Sequence, residues 1–122
     1  MDAGSRDVSL TIPAKPGYLV LARLALSAVC RLTPLDSTEV ADLKLAVTEA
    51  ANDFVDEETG EDEQVDFDFR LHEDRLVLQL EGSAASPAPL EQELSRAIIE
   101  ATVDESTFAP GRTVLVLSLI HI

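Results

Sequence analysis

Four carboxylates, Asp42, Glu49, Asp53 and Asp56, fall at offsets 0, 7, 11 and 14, which places them on one stripe of a helix. Oxygens gathered in this way can ligate a hard cation such as magnesium, and each can orient a hydroxyl or water proton for transfer. Without a cation or water between them they repel, and a solvated acidic face is the plainer reading of the same spacing. Arg23 is a different kind of candidate. It shares a helical stripe with Leu19, Leu26 and Cys30, and an arginine ringed by apolar side chains is the pattern of an interface anchor. The plainer alternative is a surface ion pair with one of many carboxylates. Cys30, the single cysteine, can form no internal disulfide and offers no metal-binding spacing, so it reads as packing. His72, in a turn, and His121, near the end of the sequence, read as incidental.

The elements that must position these residues follow from periodicity. Val8 to Ile12 is a β-type run closed by Pro13 and the pair Pro16-Gly17. Pro16 to Leu32 is helical, with Leu21, Leu24, Ala25, Ala28 and Leu32 expected to face the core and Leu19, Arg23 and Leu26 expected to face a partner. Asp36, with Glu39 three positions on, starts a second helix with a capping box; Val40, Leu43, Val47, Ala50 and Phe54 form its apolar face. Asp56 to Glu63 reads as a solvated acidic loop. Val65, Phe67, Phe69 and Leu71 alternate with polar residues, and after a turn at His72-Glu73-Asp74 the alternation resumes at Leu76, Leu78 and Leu80. A small-residue linker, Gly82 to Pro89, leads to a third helix whose Leu90, Leu94, Ala97, Ile98 and Ala101 are expected to face the core. A short strand near Val103 to Phe108 and a final strand from Thr113 to about Ile120 complete the order. The result is an α+β two-layer sandwich: a mixed, mainly antiparallel sheet with helices on one face.

Composition narrows the function. The chain has 122 residues, fitting one domain, and 46% are apolar, enough for a core. Its formal net charge is −14, the wrong sign for neutralising phosphates, so direct nucleic-acid binding is excluded, and an anionic membrane would repel it. A basic protein would not. The longest apolar-biased stretch, Tyr18 to Leu32, is interrupted by Arg23 and Arg31 and is too short to span a bilayer. Met1 to Arg6 is no signal peptide, so a cytoplasmic setting is expected.

The segments Ile12-Pro13-Ala14-Lys15-Pro16, Leu21-Ala22-Arg23-Leu24 and Asp42-Leu43-Lys44-Leu45-Ala46-Val47-Thr48-Glu49-Ala50 resemble the opening half of the bacterial anti-sigma factor kinases of the RsbW and SpoIIAB type, within the GHKL (histidine kinase/Hsp90-like) ATPase superfamily. The resemblance covers residues 8–55 well and the remaining order of elements loosely. It implies a single GHKL-like domain over residues 1–122, with a strand and two helices at 8–55, a hairpin at 64–82, and a helix and closing strands at 90–120. Such proteins hold a sigma factor away from RNA polymerase and phosphorylate a serine on an anti-anti-sigma partner, using ATP and magnesium.

Position by position, the resemblance makes Glu49 the general base and places Asp53 where the family has a magnesium-binding asparagine. Glu81 and Thr113 take the adenine site, and Arg23 the contact to both protein partners. It also implies a homodimer, for which the short first strand and an open sheet edge give a route. The glycine boxes depart from the family: Ser83 and Ala84 replace positions where backbone approaches nucleotide, and no glycine occurs between Gly82 and Gly111. The loop from Ser83 to Pro89 is also shorter than the family's ATP lid. The expectation is an anti-sigma-like regulator that binds a sigma factor or an anti-anti-sigma protein, with nucleotide binding weakened or lost and no cofactor held. An active ATP-dependent serine kinase of the same family, and an acidic interaction domain unrelated to transcription, are the alternatives.

Overall fold

The computed structural model describes residues 6–58, 60, 62–83 and 89–120. Strand β1, Arg6–Pro13, is followed by a single 3-10 turn at Pro16–Tyr18 and by helix α1, Leu19–Cys30. Helix α2 spans Ser37–Ala51, the hairpin strands are β2, Gln64–Leu71, and β3, Arg75–Gly82, and helix α3 spans Pro89–Thr102. Strands β4, Glu105–Ala109, and β5, Arg112–Ser118, close the chain. The five strands form one sheet in the order β1-β2-β3-β5-β4, and every pairing is antiparallel, so the expected mixed sheet is antiparallel throughout the described strands. Each strand runs next to a sequence neighbour, and the pairing of β3 with β5 joins non-consecutive strands across α3 and β4.

Alternation decides the sheet's two faces. Val65, Phe67, Phe69, Leu76, Leu78, Leu80 and Leu115 are fully buried beneath the helices. Asp66, Asp68, Gln79 and Glu81 take the opposite, outer face, where Ser9 and Thr11 hydroxyls donate to Asp68 and Asp66. One face packs and one is wet, the common arrangement for an antiparallel sheet.

The α2 N-terminus is the capping box expected from Asp36 and Glu39. Glu39 N donates to Asp36 Oδ1 at 2.8 Å, and Asp36 N donates back to Glu39 Oε1 at 3.2 Å. Leu43, Val47 and Ala50 are buried as expected, but the helix stops at Ala51 and the buried Phe54 belongs to the turn that follows. Asp53 and Asp56 are therefore beyond the helix, and the four-carboxylate stripe does not form; Asp56 instead ties its segment to the residue after β1 by donating its N–H to Ala14 O at 3.1 Å.

Two helices turn the other way from the expectation. In α1 the buried side is Leu19, Ala22, Leu26, Val29 and Cys30, while Leu21, Leu24 and Ala28, and Leu32 just beyond the helix, are exposed. Leu19 and Leu26, expected at an interface, are 5% and 0% exposed and belong to the core. The reason is that α1 is apolar nearly all round, so periodicity offers two stripes and only packing on the sheet selects one. In α3 only Ile99 is buried, and Leu90, Leu94 and Ile98 are 66%, 58% and 36% exposed. Ala97 and Ala101 are exposed with them.

Candidate functional site

Glu49 lies near the C-terminal end of α2 and Asp53 in the turn after it, held by the buried Phe54 side chain. Helix α3 packs beside α2 and supplies the facing residues. Ser95 Oγ donates to Glu49 Oε2 at 2.7 Å, which fixes that carboxylate from the neighbouring helix. Gln92, Ser95, Arg96 and Ile99, at offsets 0, 3, 4 and 7 in α3, are the helix's inward side.

Two depressions flank Asp53. The inner one, a cavity of about 250 Å³, is lined by Asp53, Gln92, Arg96, Phe108, Gly111 and Thr113. Arg96 dominates it: its guanidinium carbon sits 4.6 Å from the Phe108 ring centroid, in cation–π contact. Arg96 Nε is buried with no hydrogen-bond partner among the described residues. The outer depression is an open groove between α2 and α3, of about 390 Å³, lined by Glu49, Asn52, Asp53, Glu91, Leu94 and Ile98.

Burial pushes the Asp53 carboxyl above its ordinary value; the Arg96 guanidinium pulls it down and Glu49 pushes it further up. Among the described residues no three His, Cys, Asp or Glu side chains gather closely enough to hold a metal ion.

Thr113 is buried, 2% exposed, and lines the inner cavity beside Asp53. Glu81 does not join them. It pairs with Arg112 across β3 and β5 on the outer face of the sheet, where Arg112 Nε lies 3.7 Å away and Gln79 Nε2 donates to it at 2.7 Å. The pleat explains this: Leu80 and Gly82 carry the inward phase of β3, and Glu81 falls between them. Gly82 and Gly111 are used for close backbone approach. A Cβ on Gly82 would lie 3.0 Å from Gln64 O, and Gly111, at φ +73°, would place one 3.1 Å from Gly82 O. Ala84 and Ala85 lie outside the described residues, as does His121.

Arg23 is exposed on the outer ridge of α1, beside Leu21 and Leu24, and has no ion-pair partner among the described residues. Cys30 is buried against the core, and its thiol is pushed up by burial, with Lys44 partly opposing. Arg96, Ser95 and Phe108 were not among the residues singled out from sequence. Their one trace there is the polar stripe Gln92, Ser95 and Arg96 within an otherwise amphipathic helix.

A family model described as the histidine kinase-like ATPase domain matches residues 12–119. The chain belongs to that family. Among curated relatives it is similar to the serine-protein kinase RsbW of Bacillus pumilus, with 39% identity over 58% of this chain and 46% of that one. The RsbW of Listeria innocua is 31% identical over 65% of this chain and 52% of its own. The Bacillus subtilis RsbW is 32% identical over 80% of this chain and 64% of its own. The chain thus spans about half the length of the first two relatives. Among solved structures, the RsbU and RsbW domains of a Mycobacterium tuberculosis protein superpose with a TM-score of 0.64 at 17% identity, over 93% of this chain and 32% of that one, which shows the same fold. The likeness to the RsbW serine-protein kinases accords with the α+β architecture. No helix among the described residues is long and apolar enough to cross a membrane.

Proposed function

We propose that this domain is a partner-switching regulator of RsbW type, which binds a sigma factor or an anti-anti-sigma protein and binds nucleotide weakly or not at all. The observation that carries the partner-binding half is the outer ridge of α1. Arg23 stands there exposed between Leu21 and Leu24, with no carboxylate paired to it among the described residues. An arginine already paired would lose that pair on binding; Arg23 can take a partner's carboxylate at no such cost.

The nucleotide half rests on how the residues at Asp53 fit ATP and magnesium. They fit poorly. The inner cavity is smaller than the roughly 300–1,000 Å³ of ordinary ligand pockets, and the Arg96 side chain is packed on its Phe108 wall. Glu81 is on the far side of the sheet, and Gly82 and Gly111 are committed to backbone packing. Glu49, the general base of the resemblance, accepts a hydrogen bond from Ser95. A homodimer through the edge of β1, whose outer backbone groups have no strand beside them among the described residues, belongs to the same reading.

Titration calorimetry with ATP and magnesium tests the nucleotide half. The expected dissociation constant is on the order of millimolar or beyond measurement. A micromolar, magnesium-dependent constant overturns it and favours an active serine kinase.

A further inference from the structure

Helix α3 is amphipathic in the inverse sense. Its inward side carries Gln92, Ser95 and Arg96 with a single buried apolar residue, Ile99, while Leu90, Leu94 and Ile98 face solvent one turn apart. A helix that turns its larger apolar stripe to water needs a reason, because that stripe would be more stable covered. The stripe also forms one wall of the open groove whose opposite wall is α2. Glu49, Asp53 and Glu91 stand along it, and the helix's one cation, Arg96, turns away toward Phe108.

We propose that this groove docks a basic amphipathic helix of a partner protein. The apolar wall of Leu94 and Ile98 would take leucine-type side chains at helical spacing, and the acidic rim would take lysines or arginines from the helix's flanks. Charge selects this occupant. An anionic membrane or a nucleic acid would be repelled, and a second copy, of net charge −14, would approach against overall repulsion with only its α1 ridge basic. The inference deepens the partner-binding reading and rests on it. It gives Glu49 and Asp53 a role without magnesium, as counter-charges to a protein helix.

The probe is a synthetic Lys/Leu peptide of about 18 residues with leucines at i, i+3, i+4 and i+7, labelled for fluorescence anisotropy and titrated with the full chain at about 0.15 M salt. A scrambled peptide of equal charge is the control. The amphipathic peptide should bind at least about tenfold tighter than the scrambled one, and Leu94→Gln or Ile98→Gln should erase about tenfold of that affinity. Both residues are exposed in the free chain, so these variants stay folded, and circular dichroism verifies it. Leu24→Gln, on α1, should leave peptide binding unchanged. Equal binding of the scrambled peptide overturns the proposal, as does sensitivity to Leu24→Gln without sensitivity to Leu94→Gln. Light scattering of the chain alone, with a dimer abolished by Leu94→Gln, would name a second copy as the occupant and also overturn it. Failure here with an intact Arg23-dependent partner complex removes the groove alone. The converse result removes the α1 reading alone.

Discussion

Helices α1 and α3 both present an apolar stripe to solvent, yet they differ in charge and in what lies behind the stripe. Between Asp7 and Asp36 the chain carries no acid at all and three cations, Lys15, Arg23 and Arg31, so the α1 ridge is apolar and basic. Helix α3 has Glu91, Glu93 and Glu100, and its stripe is apolar and acidic. Behind the α1 stripe lies a second apolar stripe, fully packed; behind the α3 stripe lie Gln92, Ser95 and Arg96. The first helix has apolar surface to spare after the core is built. The second exposes its best apolar surface and anchors itself with polar contacts. Two faces of opposite charge suit partners of opposite charge.

The largest expected effect separates core from ridge within each helix. Leu26→Ala should cost about 2–5 kcal/mol of stability, since the side chain is wholly buried, and Ile99→Ala a comparable amount. Leu24→Ala and Leu94→Ala should each stay within about 0.5 kcal/mol. Urea denaturation of the four variants measures this directly. If Leu24→Ala proves as costly as Leu26→Ala, the ridge of α1 is core, and the comparison with α3 collapses.

Next in size is the effect of the exposed arginine. Arg23→Ala should weaken binding to a cognate sigma or anti-anti-sigma protein by about 2 kcal/mol, roughly thirtyfold, expressed mainly as faster dissociation. Biosensor kinetics give both rates. Unchanged dissociation with the fold intact would move the binding face off α1.

These two faces also mark the limit of what the sequence discloses. The hairpin was legible because Val65 to Leu71 alternates and Leu76, Leu78 and Leu80 resume the alternation after the turn, so a shift of one residue in either strand would expose its whole set. The start of α2 was legible because Asp36 and Glu39 satisfy each other's backbone groups locally. The short strand near Val103 to Phe108 is β4, Glu105–Ala109. Helical periodicity located α1 and α3 within a turn or so, but it reports an apolar stripe and not its direction. For α1 there were two candidate stripes; for α3 there was one, and it faces out. The site suffered for a similar reason. Glu81 was placed by its neighbours in sequence, whereas the pleat sends it to the outer face of the sheet. Arg96 carried no local pattern at all, because its partners, Asp53 and Phe108, come from a turn and a strand far away along the chain.

The smallest expected effect probes the point where the groove and the inner cavity meet. Burial raises the Asp53 carboxyl above its unfolded value, Arg96 partly offsets this, and Glu49 adds to it. The native state therefore holds its proton to higher pH than the unfolded chain does. Across the window between the unfolded value, near 3.9, and the raised native one, stability from this group falls as pH rises; above the window the loss is complete, and below it there is none. Asp53→Asn keeps the shape and removes the charge. At pH 7 it should raise the melting temperature slightly, on the order of 1–2 °C, with the gain shrinking as pH is lowered toward 4. Thermal unfolding of both proteins across that range measures it. If Asp53→Asn lowers the melting temperature at pH 7, attraction to Arg96 outweighs burial. The carboxylate is then a stabilising partner of α3, and the polar contacts behind the exposed stripe are stronger than the Ser95–Glu49 bond alone.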